Sequence, residues 1–187
     1  MIDYFALLGV ERRPAITEEI LKGAYFRKSE SLQSDPSESG ERFAVNAAFR
    51  IIANPATRIQ HLLTLEFGEP GGGQIGADLG ELFGSIVKVL QSADHQLGSL
   101  AAQSSPILRA LEYQRLEGLR PQLEQGEKEL SQRESGLLAE LVLLDQRWLE
   151  NTARTRRPLA QMALDLTFVQ KWLSQVRERI IRLEELA

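Results

Sequence analysis

A chain of 187 residues has room for one medium domain or two small ones, and 43% hydrophobic against 26% charged residues supports both a core and a soluble surface. The formal charge of −4 offers no net attraction to nucleic acid or an anionic membrane, and the absence of cysteine excludes disulfides, thiolate metal sites and cysteine-ligated iron–sulfur clusters. No apolar run approaches the ~20 residues of a spanning helix, and the charges of "MIDYFALLGVERR" follow its apolar stretch, the reverse of a signal peptide, so a soluble cytoplasmic protein is expected.

Strand signals are nearly absent, and helix signals run the length of the chain. "DYFALLG" reads as a short helix that Gly9 can close. "ITEEILKGAYFRKSESL" starts at Thr17 as N-cap, with Glu18 and Glu19 at the positive end of the dipole and Leu21, Ala24, Tyr25 and Leu32 on one face. The turn-rich stretch "SESLQSDPSES" follows. "GERFAVNAAFRIIAN" then places Ala44, Ala47, Ala48 and Ile51 on a stripe of mostly small residues. Asn54-Pro55 ends that helix and starts the next, which Gly68 closes.

Residues 68–77, "GEPGGGQIGA", read as a linker; a phosphate-cradling loop is excluded because no Gly-Lys-Ser/Thr follows and no strand precedes. Asp78 and Glu81 have capping-box spacing at the start of a helix carrying Leu79, Leu82, Phe83, Ile86, Leu90, Ala93, Leu97 and Leu100. Ser105-Pro106 starts another, with leucines to Leu130 and Pro121 expected to kink or divide it. Leu137, Leu141, Leu144 and Trp148 define a further helix. In the last one Met162, Leu166, Val169, Leu173, Val176, Ile180 and Leu183 alternate spacings of four and three, a coiled-coil-like seam that Phe168, Trp172 and Ile181 widen. These helices are expected to cover one another as an antiparallel bundle.

Chemistry-bearing constellations are scarce. His61 and His95 are isolated, and the adjacent pairs Glu18-Glu19 and Glu184-Glu185 point in different directions from a helix, so neither makes a carboxylate dyad. "RTRRP" at 154–158 reads as a solvated basic loop between the last two helices. With no nucleophile, base or metal set, no enzymatic activity, cofactor or metal is expected.

The order of motifs in the first half carries a resemblance. A "DYFALLGV" opening, a helix ending "AYFRKSESLQSD", a loop, and "NAAFRIIANPATRIQHLL" together resemble the J-domain co-chaperones of iron–sulfur cluster assembly, the HscB type. The residues that match the family's later helix are Asn46, Ala48, Pro55, Arg58, Leu62 and Leu63. "ILRALEYQRLEGL" is similar to the family's scaffold-binding helix and "LTFVQKWLSQVRERIIRLEELA" to its closing helix, so the resemblance covers about residues 1–66 and 106–187.

That resemblance implies an all-α fold: a J-like helical hairpin domain at 1–67, the linker at 68–77, and an antiparallel helical bundle at 78–187, with 78–105 an insertion atypical of the family. It also implies a DnaK-type chaperone as partner, engaged by a His-Pro-Asp loop, and an iron–sulfur scaffold protein as a second. Here the loop motif falls on Gln33, Ser34 and Asp35, and only the aspartate is kept. Ser34 removes proline's fixed backbone angle, and Pro36 moves that constraint past Asp35.

Lys22, Arg27 and Lys28 remain of the family's basic second-helix face, while Glu30, Asp35, Glu38 and Glu41 crowd the loop within a Debye length of roughly 8 Å. The family's partner surface maps to Ile107, Leu108, Leu111 and Glu112, with Phe168 on the last helix, but two of its acids fall on Arg115 and Leu119. Partner surface and ordinary bundle core are both consistent with those apolar residues. The expected function is a divergent, non-enzymatic co-chaperone or adaptor with impaired stimulation of its ATPase. The alternatives are a structural, self-associating helical protein resting on the 162–183 seam and the 79–100 helix, and an active iron–sulfur co-chaperone that tolerates the changed loop.

Overall fold

The computed structural model describes residues 1–32 and 39–186, and among them every regular element is a helix. The fold is all-α. The chain divides into two compact units, each discontinuous in sequence: Met1–Gln74 with Leu137–Thr167, and Ile75–Gly136 with Phe168–Ala187. One crossing falls at the expected linker; the other two fall inside long helices.

The first unit opens with α1 (Tyr4–Leu8), whose N-cap Asp3 accepts from the Phe5 and Ala6 amides and whose end is turned by Gly9 at φ 69°. Helix α2 (Glu18–Ser31) starts where Thr17 Oγ1 accepts the Ile20 N–H. It packs against α3 (Ser39–Ala53). Tyr25 Oη donates to Asn46 Oδ1 at 2.8 Å and Arg42 Nη2 donates to the Leu32 carbonyl at 2.7 Å, a pairing that runs the two helices antiparallel. The buried stripe of α3 is Val45, Ala48 and Ile52; Ala48 belongs to the expected line, and its other members Ala44, Ala47 and Ile51 flank the stripe half-covered. Asn54 caps α4 (Pro55–Phe67) by accepting from Ala56 and Thr57 N–H, as its Asn-Pro start implies.

Helix α4 is the centre of this unit. Ile59, Leu62 and Leu63 are fully buried, joined by Phe5 and Ile52. Arg58 and His61 are buried with them. Arg58 Nε donates to the Pro14 carbonyl at 2.7 Å and Nη1 to the Ile52 carbonyl at 2.9 Å, so one guanidinium fastens the α1–α2 connection to the end of α3. His61 Nε2 accepts the Tyr4 N–H at 3.2 Å, and its ring lies against Tyr4 and Phe5. It is a core histidine.

Residues 137–167 complete the unit with the second half of α7 (Arg120–Glu150) and the first half of α8 (Thr152–Glu184). Phe67 meets Trp148 edge-on at 6.4 Å, and the buried carboxylate of Asp145 accepts from the guanidinium of Arg13 and from Ala15 N at 3.0 Å. The glycine-rich stretch lies along α8: Glu69 pairs with Arg156, and Gln74 N–H and carbonyl bond Gln161 at 3.2 and 2.9 Å. Gly71 has φ 76°, and a Cβ there would sit 2.8 Å from the Ala160 Cβ, so both backbone angle and proximity require glycine. Hence 68–74 is a docked strap in this unit.

The second unit holds α5 (Ala77–Ala102), α6 (Pro106–Glu117) and the remaining halves of α7 and α8. Asp78–Arg133 and the close approach of Gly126 to Ile86 run α5 and α7 antiparallel. Glu127–Arg177 and Glu134–Gln170 do the same for α7 and α8, and Asp94–Arg179 with the Phe83–Phe168 contact runs α5 alongside α8 in parallel. Leu79, Phe83, Ile86, Leu90 and Ala93 of α5, Leu123 and Leu130 of α7, and the seam residues Val169, Leu173, Val176 and Leu183 of α8 are all buried and make the core of this unit.

Three local expectations change. Gly76, with no side-chain bond, occupies the cap position of α5, and Asp78 pairs with Arg133, so no capping box forms. The chain breaks at residues 118–119, ahead of Pro121, and α7 then runs unbroken through 130–137 because its buried positions Leu123, Leu130, Leu137, Leu141 and Leu144 keep one heptad phase. "RTRRP" lies inside α8. Pro158 removes one helical N–H on an exposed face, where water can take the freed carbonyl, and Thr155 Oγ1 donates to the Thr152 carbonyl at 2.9 Å.

Candidate partner-binding surfaces

Helix α6 presents the clearest surface. Leu116 near its end is fully buried, whereas Ile107 is 76% exposed, Leu108 46% and Leu111 47%. Leu111 stands four positions from Ile107 and three from Leu108, so it neighbours both on the helix surface and joins the three into one apolar patch over the first turns. The core alternative for them is thereby excluded. Pro106 starts the helix at its first position, after Ser105.

The charge beside the patch is balanced. Glu112 accepts from Arg115 Nη1 at 2.8 Å, so the acid of the expected partner surface is neutralised by a base one turn on. Further on, Glu117 accepts from Arg120 at 2.7 Å and from Tyr113 Oη at 3.2 Å, a small network across the α6–α7 junction. The hydrogen bond from Arg120 holds the Glu117 carboxyl below its usual range. Phe168, also drawn from the sequence, is half-buried against the Phe83 ring at 5.9 Å on α8. It therefore takes part in the bundle's own packing. The seam residue Ile180 is half-covered and Ile181 is exposed, so the seam narrows at its end.

On α2 the three bases separate. Lys22 is exposed and paired with Glu18 at 2.6 Å, which lowers the Glu18 pKa. Arg27 and Lys28 line a shallow cleft with Ala6, Gly9 and Ser31. Positions five and six apart on a helix point about 140° and 240° from the first, which is why Lys22 stands off alone. Gln33, Ser34 and Asp35 lie outside the described residues. His95 is exposed on α5, and no group of three His, Asp or Glu able to hold a metal occurs among the described residues. No helix among the described residues is long and apolar enough to cross a membrane.

Sequence reasoning missed the Arg13–Asp145 pair with Arg58 beside it. Arg58 was singled out only by resemblance, and nothing at the sequence level ties residue 13 to residue 145; the only signal was an aspartate in the buried phase of α7, four positions after Leu141. The sequence matches no protein-family model and no curated protein, so its relation to other proteins rests on the residues themselves.

Proposed function

We propose that this protein is a divergent HscB-like J-domain protein, a non-enzymatic cytoplasmic co-chaperone or adaptor that holds a protein partner through α6 and stimulates a DnaK-type ATPase weakly or not at all. The observation that carries the reading is the exposed patch of Ile107, Leu108 and Leu111. Covering such a patch is favourable by about 25 cal/mol per Å² of apolar surface, and the paired Glu112 and Arg115 beside it suit a partner chosen by shape more than by charge. The antiparallel α2–α3 pair supports the J-like half. Weak stimulation follows from Gln33-Ser34 in the trigger positions and from the pairing of Lys22 with Glu18.

Titration against the DnaK-type chaperones of the same organism tests the first part: turnover is expected to stay near its basal rate, and normal stimulation would refute the impairment and favour an active co-chaperone. Mixing with an iron–sulfur scaffold protein tests the second. A complex that Leu108→Ala with Leu111→Ala abolishes is the expected result, and the absence of any complex removes the scaffold as partner. The self-associating reading lost its main support, because most of the 162–183 seam is buried within the chain's own core.

A further inference from the structure

One groove in the first unit belongs to none of these surfaces. It encloses about 510 Å³, within the range of roughly 300–1,000 Å³ typical of small-molecule sites. Its walls come from the α1–α2 connection and the start of α2 on one side and from one stretch of α7 on the other. Ile16 is half-covered, and Ile20 and Val142 are 54% and 52% exposed, so apolar walls stand in water.

The polar lining is as specific. Asp145 is fully engaged, accepting from Arg13 Nε and Nη2 and from Ala15 N. Glu11 stands at the mouth, exposed, with its carboxylate 3.9 Å from Arg13. Arg58 donates from Nε and Nη1 to carbonyls, and its Nη2 has no hydrogen-bond partner among the described residues. Burial pushes its pKa down to about 10, against the pull of Asp145, so it is still charged at neutral pH. Both carboxylates of the groove, Asp145 and Glu11, pair with Arg13, so Arg58 is the cation with no hydrogen-bonded carboxylate and has a donor to spare.

We propose that this groove binds a small amphipathic carboxylate, its head group accepting from Arg58 and its apolar chain lying along Ile16, Ile20, Leu138 and Val142. The head group would supply the missing acceptor and offset the second cation, while the chain would cover the exposed walls. A partner helix fits less well. The apolar lining on α7 runs from Leu138 to Val142, about one helical turn, whereas helix docking uses anchors spread over two or more turns.

The test uses the full chain with sodium decanoate as probe, followed by calorimetry and by the Arg58 side-chain Nε resonance in arginine-edited NMR spectra. Saturable one-to-one binding that shifts the Arg58 resonance is expected, with decanol and decylamine at least tenfold weaker. Val142→Glu, at an exposed position that leaves the core intact, is expected to weaken decanoate at least tenfold. Leu108→Ala with Leu111→Ala is expected to leave it unchanged, which separates this site from the α6 surface. Equal binding of decanol, unaltered binding to Val142→Glu in a folded protein, or no saturable binding would overturn the proposal. Tighter binding of an acidic amphipathic peptide than of decanoate would overturn it in favour of a protein occupant.

Discussion

His61 accepts the Tyr4 N–H through Nε2, so that nitrogen must stay unprotonated for the start of α1 to keep its contact. Burial lowers its pKa below the ordinary value, with Asp3 pulling the other way and Arg12 adding to the fall. A folded pKa depressed below the unfolded one means the contribution to stability is full above about pH 6.5 and is lost as pH falls through the folded value. Melting temperature is therefore expected to drop on acidification from pH 7 to 5, and His61→Gln, whose Oε1 can keep the acceptor without titrating, is expected to flatten that limb. An equal acid slope in both proteins, measured by circular dichroism melts, would remove His61 as the cause. At this scale the sequence was informative about isolation: a histidine with no neighbour of its kind proved to be a core histidine. It was silent about Asp145, whose bonds to Arg13 and Ala15 join positions 132 and 130 residues apart.

Among the elements, the caps were the most legible features. Thr17, Gly9, Asn54-Pro55, Gly68 and Ser105-Pro106 all lie at helix ends, because each is a local device that needs no tertiary partner. What failed was decided by packing. The run at 154–158 looks polar enough for a loop, yet Thr155 and Leu159 are buried and Arg156 reaches both Glu69 and the face of the Phe67 ring, so helix wins. The stretch 68–77 holds the crossing between the units, as a linker does, and its first part is also docked: glycines signal freedom in sequence, whereas Gly71 supplies a close approach. Gly71→Ala is expected to destabilise by about 1–2 kcal/mol, from the left-handed backbone and the contact with Ala160, and a thermal melt would show it. Helix α6 offers an internal contrast. Leu108→Ala and Leu111→Ala are expected to change stability by no more than about 0.5 kcal/mol each, as surface changes do, while Leu116→Ala costs roughly 2–5 kcal/mol in urea unfolding. A large loss at Leu108 would mean that the patch is packed in solution.

On the scale of the whole molecule, helix content and class were readable from periodicity, but the partition was not. Hydrophobic phase shows which face of a helix is buried and carries no information about which distant segment covers it. That is why the apolar faces of α7 and α8 read as one bundle, although each helix contributes to both units. The consequence is measurable. A fragment of residues 1–74 lacks Asp145, Trp148, Ala160 and Gln161, which contact Arg13, Phe67, Gly71 and Gln74. It is expected to keep helical signal but to lose a cooperative melt and dispersed amide resonances. A fragment that unfolds as sharply as the whole chain would show that helices α1–α4 are self-sufficient.

The same discontinuity bears on synthesis. The segment that closes the first unit begins 63 residues after Gln74, counted from 74 to 137. At roughly 5–20 residues per second a ribosome needs about 3–13 s to make that stretch. Throughout that interval Phe67 and the strap protrude without Trp148 or the start of α8 to shelter them. Every newly made copy thus passes through a stage in which the surface later covered by Trp148 and α8 is bare, and slower synthesis lengthens that exposure.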